Sequence, residues 1–195
     1  MDNDYFSIDA ILAENQKIQC TFKVDVPEVG HLGGGNDRDI KAPAKLPIPM
    51  WLAYIILLSE WADLTIPAPF GPRVRNALKA DPRSVRLSAL VGAGGLWYGF
   101  GKMIMDILDD EQANIMSDVL TKAFRGRLTE VIDQAQHFAT LGTLGVAGSA
   151  VDAAQSFREG LDGTERELFA LAQESSKRTK RWYENHDKAR QGTRR

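Results

Sequence analysis

Apolar and polar positions alternate strictly from Lys17 to Asp25. Ile18, Cys20, Phe22, Val24 and Val26 interleave with Lys17, Gln19, Thr21, Lys23 and Asp25. This period of two predicts a strand over about 17–26 with one face buried and one wet. Pro27, which has no N–H to give a ladder, closes it. Before it, residues 5–14 predict one or two helical turns capped by Ser7 or Asp9. After it, His31 to Asp37 is a glycine-rich loop, and Leu46-Pro-Ile-Pro49 is held extended by its prolines. Met50 to Ser59 predicts a short helix at about 50–59, buried on most sides. Ala62 to Ile66 predicts a second strand, closed by Pro67.

The pattern then changes. Phe70 to Val85 is the most tightly punctuated stretch of the chain. Pro72 suits the first turn of a helix, and Val74, Ala77 and Leu78 follow at helical spacing. Asp81-Pro82 repeats the start signal. Beyond Val91–Gly95, a helix is predicted from Leu96 to about Asp109, with Trp97, Phe100, Ile104, Ile107 and Leu108 on one side. The next, to about Ala139, carries Ile115, Met116, Val119, Leu120, Ala123, Phe124, Leu128, Val131, Ile132 and Ala135 at spacings of three and four. Gly126 inside it either marks close packing or is tolerated at a cost of about 1 kcal/mol against alanine. Gly142–Gly148 is a break, and Ala147–Phe157 a further helix. Thr164 and Glu167 form a predicted capping box for a last helix with Leu168, Leu171, Ala172 and Trp182 on one face.

These elements predict an α+β fold that is mainly α. A small β-rich domain at 1–68 precedes a larger all-α helical domain at 69–195, whose tail loosens from about 186. The small unit has two or three short strands and one apolar helix, and it needs a neighbour to lean on.

Charge adds one feature. The formal net charge is −2, but residues 177–195 hold eight Lys/Arg against two Asp/Glu. The tail is therefore basic and the remainder acidic, with Asp2, Asp4, Asp9 and Glu14 near the start. The single cysteine, Cys20, allows no intrachain disulfide and fits a reducing compartment. The first residues show no signal-peptide pattern, and the longest apolar run, Met50 to Leu58, falls well short of the ~20 residues of a membrane span. A soluble intracellular protein is expected.

The chain offers little chemistry. His31, His137 and His186 lie far apart, without a second ligand at metal-binding spacing. Gly101-Lys102 fails as a phosphate loop: Leu96 stands where the first glycine is needed, and Met103 where a hydroxyl would hold magnesium. No dinucleotide fingerprint fits. Asp106, Asp109, Asp110 and Glu111 read as a solvated helix boundary, and Cys20 as a small buried hydrophobe. No catalytic residue, cofactor or metal is expected.

Two features remain as candidate partner surfaces. Arg73, Arg75, Lys79, Arg83 and Arg86 form a basic ridge against Asp81 alone, a solvated face or a contact for an acidic surface or a phosphate backbone. Trp51, Tyr54, Trp61, Phe70, Trp97, Tyr98 and Phe100 cluster about the joint, as core packing or in part as an interface. The residues point to a non-enzymatic interaction module. The tentative interface set is Trp51, Tyr54, Arg73, Arg75, Lys79, Arg83, Trp97 and Phe100. A stand-alone nucleic-acid binder using Arg73–Arg86 and the basic tail is the alternative.

Seven stretches carry a resemblance: Tyr5 with Ile8-Asp-Ala-Ile-Leu-Ala13, Cys20-Thr-Phe22, Asp25-Val-Pro27, Gly30-His-Leu32, Asp39-Ile-Lys41, Leu46-Pro-Ile-Pro-Met-Trp-Leu52 and Phe70 through Val85. Together they resemble the third-subunit family of the eukaryotic GINS complex over about residues 5–140. Glu28 stands where that pattern has glycine, and the longer region after Gly142 is that of a fungal variant. The resemblance implies a small β-rich domain before a helical one, and no catalysis by this subunit. It implies a nuclear, non-catalytic role in DNA replication: a heterotetramer with the three other GINS subunits, joined with the MCM ring and a Cdc-type loading factor in the replicative helicase. It implies an indirect link to the replicative polymerase, with DNA contact open and no membrane.

Overall fold

The computed structural model describes residues 6–34, 37–92, 94–141 and 149–192, with side chains omitted for 137–141, 149–153 and 187–192. The chain opens with α1 (Ile8–Glu14), capped by Ser7, whose Oγ accepts from the Ala10 N–H. Three short strands form one antiparallel sheet: β1 (Lys17–Phe22), β2 (Ala44–Pro49) and β3 (Ala62–Leu64), in the order β2-β1-β3. The central place goes to β1, which carries no proline. Pro47 and Pro49 lie on an edge, where a missing N–H leaves no ladder bond unmade. Cys20 stands opposite Leu46 on one side and Leu64 on the other.

The first strand is shorter than the alternation predicts. It ends at Phe22, after which Lys23 donates its N–H to the Trp61 carbonyl and Val24 faces solvent. Val26 rejoins as an isolated bridge to Ile40. Alternation continues past the point where partner strands run out, and without a partner strand the pattern has nothing to bury against.

α2 (Met50–Leu58) connects β2 to β3, and the joint brings α3 (Pro72–Ala80), with Pro72 in its first turn as predicted. Asp81-Pro82 starts only a 3₁₀ turn, Pro82–Ser84. α4 (Trp97–Met105) stops four residues before its predicted end. Asp109 is taken up as the cap of the following helix, its Oδ1 accepting from Gln112 N–H at 2.8 Å, so the chain must turn before it. The acidic cluster here is thus a helix start. α5 (Asp110–Leu141) and α7 (Gly163–Gly192) are 32 and 30 residues long and pack along each other, with α6 (Ser149–Glu159) between them in sequence. α7 continues as helix to Gly192, past the predicted loosening at about 186. The predicted break at 142–148 and residues 193–195 lie outside the described residues.

One core runs through both parts of the chain. Ile18, Cys20 and Phe22 of β1 belong to the same buried cluster as Phe70, Trp97, Phe100 and Met116. At its centre Phe70 stacks on Trp97 with ring centroids 5.2 Å apart, and Trp97 Nε1 donates to the Pro69 carbonyl. The small sheet leans on the helices as its size requires. A second, smaller cluster joins Val131 of α5 to Phe157 and Leu161.

Candidate partner interface

The predicted interface residues separate into three groups. Trp97 and Phe100 are 0% and 3% exposed, so no partner reaches them; they are core. Their apolar rings sit on the α4 face that meets Phe70 and α5, and burial within the chain claims them first. Trp51 and Tyr54 are 53% and 43% exposed. Here the expectation that α2 is buried on most sides is corrected. Met50, Ala53 and Ile56 are buried, Leu52 and Leu57 are half-buried against the core, and Ile55 and Leu58 join Trp51 and Tyr54 outside. The helix is apolar all round, but this chain covers one side of it. α1 adjoins α2 and adds exposed Ile8 and Ile11.

The third group is the basic ridge, which the structure disperses. Arg75 is half-buried and donates Nε–H to the Phe70 carbonyl at 2.7 Å. Arg83 lies 3.5 Å from both Asp81 and Glu130, and Arg86 pairs with Glu159 at 2.8 Å. Arg73 and Lys79 alone of the five are exposed without an ion pair among the described residues.

The last helix departs from its prediction in two ways. Its capping box is Asp162 with Glu165, two residues before the predicted Thr164–Glu167. Asp162 Oδ1 accepts from Thr164 N–H at 2.9 Å, and Glu165 Oε2 accepts from Asp162 N–H at 3.1 Å. Asp162 prevails because its other oxygen caps α4 as well, accepting from Trp97 N–H at 2.6 Å. Thr164 has no such second duty. The predicted apolar face also fails beyond its first turns: Leu171 turns outward while the adjacent Ala172 and Gln173 are half-buried, and Trp182 is exposed.

The feature that sequence reasoning missed is the buried polar network at this junction. Arg127 is 0% exposed in the middle of α5. It forms a fork to Glu165, Nε to Oε1 at 2.7 Å and Nη2 to Oε2 at 3.0 Å. Its Nη1 donates to the carbonyls of Pro82 and Val85, and the guanidinium lies over the Phe157 ring. Tyr98 Oη donates to Glu165 Oε1. Burial pushes the Tyr98 hydroxyl well above the ordinary tyrosine range, helped by the Glu165 carboxylate. Burial also raises the Asp162 carboxyl, against the backbone N–H groups of Thr164, Tyr98 and Trp97 that lower it. A signal was present: Arg127 continues the four-residue spacing of Ala123, Val131 and Ala135, so it falls on a core position.

Among the described residues no group of three or more His, Cys, Asp or Glu is placed to hold a metal. No helix is long and apolar enough to cross a membrane among them. Gly101 is no phosphate loop but a packing site: a Cβ there would lie 2.8 Å from Phe70 and 2.9 Å from Leu120. Cys20 is fully buried, and burial pushes its thiol up to about 11.

Two family models match. One, described as the PSF3 N-terminal domain, covers residues 6–58; the other, the GINS complex protein helical bundle domain, covers residues 70–184. The chain is similar to the DNA replication complex GINS protein psf3 of Aspergillus fumigatus, 35% identical over 91% of this chain and 95% of that protein. Its counterpart in Phaeosphaeria nodorum is 37% identical over 92% and 96%. That of Saccharomyces cerevisiae is 29% identical over 91% and 97%.

Proposed function

Because this chain belongs to the PSF3 family of GINS proteins, we propose that it is a non-catalytic subunit of a four-chain GINS assembly acting in DNA replication in the nucleus. In that role it presents shaped apolar surfaces to sister subunits. Through them it helps join the MCM ring and a Cdc-type loading factor into the replicative helicase, with the polymerase engaged indirectly. ATP hydrolysis falls to the ring.

The observation that carries this reading is the outer face of α2. Trp51, Tyr54, Ile55 and Leu58 are all exposed on a helix of nine apolar residues. Contiguous apolar surface of this kind marks a protein contact, and permanent interfaces resemble a core cut in two. The test is expression alone and with the three sister chains. The chain alone should aggregate or bind chaperones and become soluble on co-expression, and Ile55→Glu with Leu58→Glu should abolish co-purification. A well-behaved folded monomer, or full assembly of that double variant, would overturn the reading.

A nucleic-acid-binding module is the second reading. It now rests on distal α7, where Lys177, Lys180 and Arg181 flank exposed Trp182 and Tyr183, because three of the five ridge cations are engaged within the chain. Direct phosphate contact would make DNA affinity fall steeply with salt, and neutralising Lys180 and Arg181 would remove it.

A further inference from the structure

A cleft of about 430 Å³ opens between α1, α2, α4 and the start of α7. It takes in the Trp51 and Tyr54 end of the α2 outer face and leaves Ile55 and Leu58, which are not in its lining, to the sister chains. Small residues, Ala10 and Ala13 of α1 and Gly99 of α4, contribute to its apolar lining. Trp51, Tyr54 and Met103 add larger apolar side chains to the lining. The volume is that of a site for a few side chains, within the range of ~300–1,000 Å³ usual for ligand pockets, and too small for a folded domain.

The rim is charged in one sense. Asp9, Glu14, Asp106 and Glu167 line the cleft, with Lys102 as the only cation among the described lining residues. None of these four carboxylates forms an ion pair among the described residues. Other acids of the chain are paired, such as Asp63 with Lys23, Glu28 with Arg38, Asp118 with Lys122 and Glu159 with Arg86, but the four at the cleft stand together around one apolar slot. An apolar slot ringed by uncompensated negative charge is complementary to an apolar anchor between cations.

We propose that this cleft is a docking site for a short basic segment of a protein outside the four-chain assembly, one that seats one or two large apolar side chains between lysines or arginines. The segment would touch α1 and α2 on one side and α4 and α7 on the other. It would therefore clasp the parts matched by the two family models. Apolar anchors supply the affinity, and the carboxylate rim supplies selection and association rate. The inference rests on the assembly reading only in choosing the complete complex as the reagent.

The probe is a fluorescein-labelled alanine-based helical peptide with two leucines one turn apart and a lysine cluster at each end. The control replaces the lysines by glutamates. Anisotropy is measured on the purified four-subunit complex, or on the chain alone should assembly fail. The lysine peptide should bind at least about tenfold more tightly than the glutamate peptide, and its affinity should fall with added salt. Asp106→Lys with Glu167→Lys should weaken it by about tenfold or more. Both residues are exposed, so folding is spared. Gly99→Leu should do likewise through steric filling, because a Cβ at Gly99 meets only ordinary contacts, with Ala13 at 3.8 Å and Leu96 at 4.0 Å. Assembly of the variants, read by size exclusion, reports on the scaffold separately. Equal binding of the two peptides, unchanged binding by both variants, or no binding because a sister chain fills the cleft would each overturn the inference.

Discussion

Arg127 and Glu165, 38 residues apart in sequence, meet in a two-bond fork with side chains 0% and 1% exposed. The arginine is held on its other edge by two joint carbonyls, and the glutamate by the Asp162 N–H and the Tyr98 hydroxyl. Arg127 and Glu165 are thus both paired and hydrogen-bonded, which makes their burial tolerable, while Asp162 beside them is held by the backbone N–H groups of Trp97 and Thr164. The pair sets α5, α7 and the joint in one register.

Arg127→Met should lower stability by roughly 3–5 kcal/mol, since it leaves Glu165 buried without its partner and two carbonyls without a donor. Arg127→Lys should recover little of this, because an ammonium cannot reproduce the planar fork. Denaturant titration of the assembled complex checks both. A loss under about 1 kcal/mol for Arg127→Met would mean that water replaces the pair.

Gly126 is a site of close approach, not a tolerated glycine. A Cβ there would lie 2.8 Å from the Pro82 ring. Gly126→Ala should therefore destabilise the protein in spite of the ~1 kcal/mol that alanine contributes to a helix. Adding Pro82→Ala should return much of the loss, and a thermal-melt double-mutant cycle reads the coupling. Independent, additive effects would show that the two residues do not touch.

Glu28 adopts a left-handed backbone with φ of 66°. Side chains are disfavoured there by about 1 kcal/mol or more. Its pairing with Arg38 is exposed and contributes little. Glu28→Gly should leave stability unchanged or raise it by up to ~1 kcal/mol, as measured by denaturant titration.

The Cys20 thiol is pushed from 9.0 up to about 11 by burial. Its folded value is the raised one, so its contribution is complete below pH 9 and lost as pH rises toward 11. Stability should fall by up to ~1.4 kcal/mol per pH unit in that window. Cys20→Ala should flatten the slope there, and a thiol-specific disulfide reagent should react with the native protein only at the rate of unfolding.

The order of elements was legible in the chain because it is written in local periodicity. The alternation at Ile18, Cys20 and Phe22 marks a half-buried strand wherever it lies, and the spacing of Ala123, Val131 and Ala135 marks one face of a helix. Pro72 starts α3 for reasons internal to its own ring. The missing phosphate-loop hydroxyl at Met103 needs no fold to be noticed.

What stays inside was decided only by folding. Trp97 and Trp51 are the same residue type, and Trp51 sits in the more apolar helix, yet Trp97 stacks on Phe70 and Trp51 faces outward. Nothing near either in sequence distinguishes them, because burial depends on what arrives opposite. Asp162 caps α4 through a bond to Trp97, 65 residues away, and so displaces Thr164 from the cap that local pattern assigned to it. Arg127 likewise finds its partner on another helix. Periodicity states which face seeks cover; three-dimensional packing determines whether the chain itself supplies it.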